Sequence, residues 1–273
     1  MNMNNFTQRL LTGSVFVVAL VLTIFAGRDW LTAVFALVGA LAAHEAASIF
    51  RKGGFASLRP VPSAAVALVL HLIVASALNG NEPVLLLGVL PVLAALLVSE
   101  LFVFSERSME RMITALFTQV VFVLPFSLLG WMGTRYGNYE PWLVMGFFVL
   151  LWVNDTGAYL AGRSLGRTKL APAISPGKTV EGFIGGVLLA FAAAWVLSAT
   201  TAHVLPLRDW MVMAACVAVF SNAGDLMESI LKRRCGVKDS GKLLPGHGGV
   251  LDRFDGVLLS VPVIVAYLQL VNR

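Results

Sequence analysis

The residues with the clearest capacity for chemistry lie between Ser229 and Asp255, in a chain that is otherwise strongly apolar. This segment holds a basic run, a glycine-rich turn and several aspartates, whereas the whole chain is 58% hydrophobic and only 13% charged. An unpaired charge in a hydrocarbon environment costs at least about 2.5 kcal/mol. So dense a polar cluster between two apolar stretches predicts a site that handles an anionic substrate together with a metal ion.

The helix that leads into this segment places four polar residues on one face. Asp225, Glu228, Ser229 and Lys232 stand at positions i, i+3, i+4 and i+7, which bring their side chains to the same side of an α-helix. A carboxylate there would hold Mg²⁺ while a hydroxyl and an ammonium group reach phosphate oxygens. The alternative is an interfacial helix end with snorkelling cations and a local Asp–Lys pair. The spacing alone leaves both interpretations open.

A glycine-rich turn, Pro245 to Gly249, interrupts the helical pattern before the last apolar stretch. Its backbone N–H groups, at the N-terminus of the next helix, are expected to form an anion site. Asp252 and Asp255 follow in the first turns of that helix. The helix dipole favours acidic residues there, but together with Asp225 they also predict oxygen ligands for a hard divalent cation.

Two further polar elements come earlier in the chain. Asp155 lies in an apolar stretch and needs a partner there. The segment from Ser175 to Gly182 has the composition of a phosphate-binding turn, although its spacing differs from that of a Walker A loop. The sequence shows none of the common nucleophile or zinc motifs. The carboxylates, lysines and glycines therefore favour direct phosphoryl or nucleotidyl transfer, in which catalysis is mainly positioning and charge neutralisation.

Membrane helices must position these residues. The 273-residue chain has a mean hydropathy of +0.83, which excludes an ordinary soluble domain and predicts an all-α polytopic integral membrane protein. A span needs about 20 mostly apolar residues. Nine stretches qualify, at 10–27, 30–50, 61–79, 83–104, 112–133, 141–162, 182–203, 209–230 and 249–271.

Lys and Arg are concentrated on one side of this predicted membrane. With nine spans, the N-terminus and the loops after even-numbered spans share a side, and they carry most of the cations. The positive-inside rule then predicts a cytoplasmic N-terminus and a C-terminus outside. Two chemically rich loops, 163–181 and 231–249, face the cytosol in this arrangement. The basic loops need only lipid headgroups and nucleotide phosphates as partners, so no nucleic-acid partner is expected.

The polar motifs divide the chain into a transmembrane scaffold half, 1–133, and a catalytic half, 134–273. The scaffold half carries few polar side chains inside its predicted spans, among them Glu45, His71 and Glu100. A carboxylate inside a span is a functional candidate, and a helix-packing hydrogen bond is the alternative. The role of Glu45 stays open at this point.

The segment from Ser229 to Asp255 resembles the signature of the phosphatidate cytidylyltransferases, the CDP-diacylglycerol synthases. That signature reads Ser-x-hydrophobic-Lys-Arg, then Lys-Asp, Pro, His-Gly-Gly and Asp-Arg-hydrophobic-Asp, and every fixed position is present here. The segments 155–159 and 175–182 also resemble the family and lie in the expected order. One departure is Gly256, where the family often has Ser.

The resemblance implies that phosphatidic acid and CTP react to give CDP-diacylglycerol and pyrophosphate, with Mg²⁺ required and a second cation left open. It also implies a homodimer surrounded by lipids of the cytoplasmic membrane. Asp225 and Asp252 match the metal ligands of the family. The predicted catalytic residues are Asp225, Asp252, Lys232, Lys238 and His247. The predicted substrate-binding residues are Ser175, Lys178, Thr179, Ser229, Arg233, Asp239, Gly248, Gly249, Arg253, Asp155 and Asp255.

Two other functions compete with this prediction. One is a related CTP-dependent membrane enzyme, either a polyprenol kinase or a cytidylyltransferase for another lipid phosphate. The complete His-Gly-Gly-x-x-Asp-Arg-x-Asp run argues against the kinase. The other is a transporter for an anionic solute. Transporters of this size often have paired repeats, whereas the polar motifs here lie in one half of the chain.

Overall fold

The structure is a computed structural model of the 273-residue chain, and it describes residues 5–80, 82–103, 105–135, 138–243, 246 and 248–271. The chain forms two units. The first comprises the residues up to Trp131 together with Leu231–Phe254, and the second comprises Met132–Ile230 together with the residues from Asp255 onward. The segment 231–254, which the sequence analysis assigned to the catalytic half, therefore belongs to the same unit as the N-terminal helices.

The N-terminal part of the chain is a series of helices whose ends follow local sequence signals. α2 carries Asp29 in its first turn and Arg51 and Lys52 in its last turn, as the helix dipole favours. α3 begins with Pro60, whose fixed φ suits the first helical position. A 3₁₀-helix, Pro83–Gly88, precedes α4, and a π-helical segment, Thr118–Val123, joins α5 to α6. The helices are α1 (Asn5–Phe25), α2 (Arg28–Lys52), α3 (Pro60–Asn79), α4 (Val89–Val103), α5 (Ser108–Phe117) and α6 (Leu124–Met132).

An aromatic cluster lies in the core of the first unit. Phe254 makes edge-to-face contacts with Phe35, Phe126 and Phe16, with ring centroids 5.7, 5.5 and 5.5 Å apart. Phe35 also stacks on Phe126 at 5.9 Å. Such aromatic pairs add roughly 0.5–1.5 kcal/mol each beyond the burial of their area. The cluster fixes Phe254, and with it the backbone near Asp252, against α2 and α6.

The remaining elements run from α7 to the last helix. They are α7 (Pro141–Leu165), β3 (Lys169–Ala171), β4 (Ser175–Thr179), α8 (Val180–Thr200), α9 (Leu207–Arg234) and α10 (Leu251–Val271), preceded by a short hairpin of β1 (Thr134–Arg135) and β2 (Asn138–Tyr139). α7 and α8 approach closely through glycines. A Cβ at Gly157 would lie 2.8 Å from the Gly185 carbonyl oxygen, and a Cβ at Gly182 would lie 2.8 Å from the Ala158 carbonyl oxygen. Larger side chains there would push the helices apart.

Within the described residues, seven helical segments are long and apolar enough to cross a membrane. They are Arg28–Lys52, Pro60–Asn79, Ser108–Met132, Pro141–Leu165, Val180–Thr200, Leu207–Arg234 and Leu251–Val271. The protein is therefore an all-α, multi-pass membrane protein, apart from two short hairpins. The first and fourth predicted spans correspond to shorter apolar helices, Leu11–Phe25 and Pro83–Leu96, so the count of nine stays a prediction.

Candidate active site

A polar cavity of about 550 Å³ lies within the second unit. Its walls come from α7, the β3–β4 hairpin, the start of α8 and the middle of α9. The residues of α10 that belong to this unit, which begin at Asp255, complete the walls. Six residues that the sequence analysis selected line it: Asp155, Ser175, Lys178, Thr179, Asp225 and Asp255. Its other lining residues include Tyr159, Arg163, Leu170, Phe183, Ser221, Asn222 and Gly256. The cavity thus brings together motifs that are separated along the chain.

The central contact of the cavity is an ion pair between Lys178 and Asp225. The Lys178 Nζ atom lies 2.6 Å from Asp225 Oδ2 and donates to Asn222 Oδ1 at 3.1 Å. Ser229 donates to Asp225 Oδ1 at 3.3 Å, as is possible for two residues four positions apart on one helix face. A lysine beside a carboxylate and an amide suits a site where an anionic oxygen can join or replace the lysine's present partners.

The β3–β4 hairpin places Lys178 at the cavity. Lys169 pairs with Thr179 in the hairpin, and Thr179 also caps α8 by accepting from the Gly182 N–H at 3.1 Å. Glu181 accepts from the backbone N–H groups of Arg167 and Thr168 at 3.0 and 3.1 Å. These bonds tie the loop after α7 to the first turn of α8 and hold the strand that carries Lys178.

Asp155 has the polar partner that its position in an apolar helix requires. The side chain of Asn154 donates to Asp155 Oδ1 at 3.3 Å and to Ser221 Oγ at 3.4 Å, and Asn154 itself is fully buried. Asp255 Oδ1 accepts from the Gly256 N–H at 2.7 Å. Both carboxylates line the same cavity as Lys178, which gives it an excess of acidic groups.

A second cluster of predicted residues lies in the first unit. Lys232 Nζ is 2.6 Å from Asp252 Oδ1, so Lys232 forms an ion pair with the first turn of α10. Asp252 Oδ2 accepts from the backbone N–H groups of Ser240 and Gly249, both at 2.8 Å, and contacts Ser240 Oγ at 3.0 Å. The Asp252 carboxylate is therefore held by Lys232 and two backbone N–H groups, and the Ser240 hydroxyl group is also within donor distance.

The glycine-rich turn adopts backbone conformations that favour glycine. Gly246 and Gly248 have φ angles of 77° and 84°, which side chains with a Cβ rarely adopt. A Cβ at Gly249 would clash with Ser240 Oγ and with the carboxylate of Glu45. The positive φ angles at Gly246 and Gly248 agree with the predicted turn, and Pro245 and His247 lie outside the described residues.

Glu45 is the first-unit residue whose role the sequence left open. It is only 7% exposed and accepts from the backbone N–H groups of Val250 and Leu251 at 2.9 and 3.0 Å. Ser240 Oγ lies 2.8 Å from its Oε2 atom. The sequence signal for a role of Glu45 was a carboxylate in an apolar helix. The residues near Glu45 in the sequence gave no indication that its partners would be Ser240, Val250 and Leu251.

The remaining predicted residues of the first unit are exposed. They are Arg233, Lys238, Asp239 and Arg253. Near them Cys235 packs its thiol against Gly53, and burial raises the pKa of this thiol above its ordinary value. The thiol is therefore protonated near neutral pH, in agreement with the absence of a cysteine motif.

Sequence reasoning missed Asn222 and Ser240. Asn222 precedes Asp225 by three residues on α9, so the same spacing rule that selected Ser229 would have selected it. Ser240 lies inside the signature segment, but its contacts with two carboxylates depend on the folded loop.

The donor set suits a hard divalent cation that binds together with phosphates. Among the described residues, no group of three or more His, Cys, Asp and Glu side chains is placed to hold a metal ion by itself. Mg²⁺ is usually held by one or two carboxylates plus substrate phosphates and water, and the cavity supplies such carboxylates. The predicted ligand pair, Asp225 and Asp252, is divided between the two units and stays a prediction.

Comparison with known proteins agrees with the resemblance seen in the signature. The chain is 47% identical over 122 residues to the phosphatidate cytidylyltransferase of Bacillus subtilis (strain 168), an alignment that covers 45% of each chain. It is 43% identical over 124 residues to the protein of that name from Haemophilus influenzae (strain ATCC 51907 / DSM 11121 / KW20 / Rd), which covers 44% of this chain and 43% of the relative. The chain therefore spans less than half the length of these curated relatives in the alignments. A sequence model of the cytidylyltransferase family, in contrast, matches residues 7–271, and the chain therefore belongs to the cytidylyltransferase family.

Proposed function

We propose that the protein is a phosphatidate cytidylyltransferase, which transfers the cytidylyl group of CTP to phosphatidic acid and releases pyrophosphate. The observation that carries this proposal is the cavity in which Lys178, Asp225, Asp155 and Asp255 meet. A volume of about 550 Å³ is in the range of small-molecule sites. The printed name of the relatives supports the choice of substrates.

In the proposed reaction, a phosphate oxygen of phosphatidic acid attacks the α-phosphorus of CTP in line. A new P–O bond forms to the lipid phosphate, and the bond between the α-phosphorus and the bridging oxygen of pyrophosphate breaks. Negative charge increases on the leaving oxygens during this step, and the Lys178 ammonium group is placed to neutralise it. Asn222 orients Lys178, because its side-chain oxygen accepts from the ammonium group. The substrate contacts proposed for Lys232, Arg233 and Lys238 involve the first unit.

Mg²⁺ is the cofactor that the carboxylates of the cavity favour. Asp225 would hold it, because the carboxylate lines the cavity and its Oδ1 atom, among the residues that the structure describes, accepts only from Ser229, at 3.3 Å. When bound, the ion would neutralise phosphate charge. Asp155 and Asp255 would orient Lys178 or hold a second cation.

We also propose the topology that the charge distribution predicts. It has nine spans in the cytoplasmic membrane, with the N-terminus and the loops 163–181 and 231–249 in the cytosol and the C-terminus outside. A homodimer embedded in membrane lipids is part of this proposal. Alkaline phosphatase fused to the C-terminus should be active, because this reporter folds only outside the cytoplasm. An inactive fusion of normal abundance would contradict the orientation.

A turnover assay tests the reaction directly. Purified protein in detergent micelles is given phosphatidic acid, labelled CTP and Mg²⁺. We expect lipid-extractable label with matching pyrophosphate release, and its loss after chelation and in Asp225→Ala. Glu110→Gln is the matched control, because it removes a carboxylate from a solvent-exposed ion pair with Arg107. Intact CTP across several lipid phosphates, in a folded protein, would contradict the proposal and favour anion transport.

A further inference from the structure

Glu45 makes contacts that an ordinary helix-packing residue does not need. Oε1 accepts from the Val250 N–H, and Oε2 accepts from the Leu251 N–H and lies 2.8 Å from Ser240 Oγ. Both oxygens of this nearly buried carboxylate are therefore directed at the segment that leads into α10. The partners lie 195 to 206 residues away in sequence.

These contacts make Glu45 the cap of α10. The first N–H groups of a helix lack partners within the helix, and they are usually satisfied by a nearby Ser, Thr, Asp or Asn. The residues just before α10 are Gly249 and Val250, whose side chains have no oxygen to offer. Glu45 supplies the missing acceptor from α2, and the positive end of the helix dipole favours its charge.

The same carboxylate is linked to Asp252 through one hydroxyl group. Ser240 Oγ lies 2.8 Å from Glu45 Oε2 and 3.0 Å from Asp252 Oδ2. A hydroxyl has one proton, so Ser240 donates to only one of the two carboxylates at a time. The Ser240 and Gly249 N–H groups complete the support of Asp252 Oδ2, which leaves Oδ1 for Lys232.

Gly249 shows how closely this arrangement is packed. A Cβ at this position would clash with both Glu45 and Ser240. The turn therefore passes directly against the Glu45 carboxylate at the residue whose N–H donates to Asp252. A displacement of Glu45 would therefore change the direction of the N–H groups that hold Asp252.

We propose that Glu45 is a positioning residue that orients Asp252 and its partner Lys232 for cytidylyl transfer. This inference rests on the proposed function, because Asp252 and Lys232 are assigned to the reaction there. Glu45 does not contact the reacting atoms in this proposal. It acts by fixing the start of α10 and, through Ser240, the carboxylate of Asp252.

The first test is Glu45→Gln in the full-length protein. Gln keeps the size of the side chain but has one acceptor oxygen, so it cannot accept from Val250 and Leu251 with two oxygens as Glu45 does. We expect kcat to fall about 10- to 100-fold, the usual effect of losing a supporting contact to a functional ligand. The KM for CTP should stay within about threefold of wild type, because the side chain does not bind the nucleotide.

Amide hydrogen exchange gives a readout that does not depend on turnover. We expect faster exchange in Glu45→Gln for the N–H groups of Gly249, Val250 and Leu251, with unchanged exchange in α2 and α6. Ser240→Ala should also lower kcat. The fold-reduction of kcat in the Glu45→Gln, Ser240→Ala double variant should be smaller than the product of the two single fold-reductions. Ser127→Ala is the control, since Ser127 is a buried polar residue of the same unit that contacts His71.

The outcomes separate this inference from the proposed function. A folded Glu45→Gln protein with wild-type kcat, or with unchanged exchange near Gly249, overturns the positioning role. The role is also overturned if kcat falls only in proportion to the folded fraction, which would make Glu45 purely structural. Absence of lipid label from the wild-type protein counts against the proposed function instead, while the exchange experiment still tests the contact.

Discussion

Two lysine–aspartate pairs of equal length differ in how the protein surrounds them. In the second unit, Lys178 and Asp225 are 2.6 Å apart, and their side chains are 20% and 34% exposed. In the first unit, Lys232 and Asp252 are also 2.6 Å apart, but their side chains are only 12% and 8% exposed. Within the described part of the chain, Asp225 accepts in addition from Ser229 at 3.3 Å, whereas Asp252 accepts from the backbone N–H groups of Ser240 and Gly249 as well.

This difference indicates two kinds of ion pair. A solvent-exposed pair contributes only about 0–1 kcal/mol to stability. The partly exposed pair of Lys178 and Asp225 is nearer to this case, so it can exchange partners with an incoming phosphate or cation at a lower cost than a buried pair. A buried pair whose partner is removed leaves an uncompensated charge, at a cost of about 3–5 kcal/mol. Lys232 and Asp252 are therefore fixed before substrate arrives. Four variants test whether the two pairs differ in this way.

The largest effect is expected for Asp225→Asn. Asn keeps the shape of the side chain but removes the charge that holds Lys178 and the proposed Mg²⁺, so turnover should fall about 10³-fold, which equals roughly 4 kcal/mol. The free energy of unfolding should change by less than about 1 kcal/mol, because the pair is partly exposed. Both are measured in detergent beside Glu110→Gln. Turnover close to wild type would show that the reaction does not require the Asp225 carboxylate.

The second-largest effect is expected for Asp252→Asn, and the quantity affected is the stability of the protein. The free energy of unfolding should fall by about 3 kcal/mol, because Lys232 loses the carboxylate that lies 2.6 Å from its Nζ atom at a position only 12% exposed. Adding Lys232→Met to this variant should restore part of the loss. Equal destabilisation by Asp225→Asn and Asp252→Asn would contradict the distinction between an exchangeable pair and a fixed pair.

A smaller effect is expected for Glu181→Gln. Gln has one acceptor oxygen for the two N–H groups that Glu181 now holds, so the strand that carries Lys178 should be less well ordered. The KM for CTP should rise about five- to tenfold, which corresponds to roughly 1 kcal/mol, the usual net contribution of one hydrogen bond, with kcat affected less. Thr200→Val, at the far end of α8, is the control. An unchanged KM would show that the hairpin holds Lys178 without Glu181.

The smallest effect is expected for Gly256→Ser, which restores the residue that the family often has. A Cβ there would lie 2.8 Å from Leu151 Cδ1 and 3.2 Å from Ser221 Cβ. The Leu151 contact is with the end of a flexible side chain, so the cost should be at most about 1 kcal/mol of unfolding free energy. Thermal denaturation in detergent measures it. A cost near that of Asp252→Asn would mean that the backbone, and not Leu151, must move.

Local sequence was sufficient for the class of fold and for the family. Hydropathy and helix signals depend on neighbouring residues, and each of the nine predicted stretches falls largely on helical segments of the described chain. The family prediction, made from the signature between Ser229 and Asp255, is confirmed by the match over residues 7–271. The contact between Ser229 and Asp225 also follows from helical spacing.

The partners of the charged groups could not be predicted in this way. Helical spacing placed Lys232 beside Asp225, but the tertiary structure pairs Lys232 with Asp252 and brings Lys178 from a hairpin to Asp225. The choice between these partners depends on which elements pack together. Helical periodicity carries no information about that packing.

Glu45 shows most clearly which features local sequence predicts and which depend on the tertiary fold. Its sequence context marks it as a carboxylate in an apolar helix, a costly arrangement that requires donors. The donors prove to be backbone N–H groups of Val250 and Leu251, 205 and 206 residues further along the chain. Backbone N–H groups look the same in every sequence, so only the tertiary fold, which brings the start of α10 against α2, decides which of them a buried carboxylate meets.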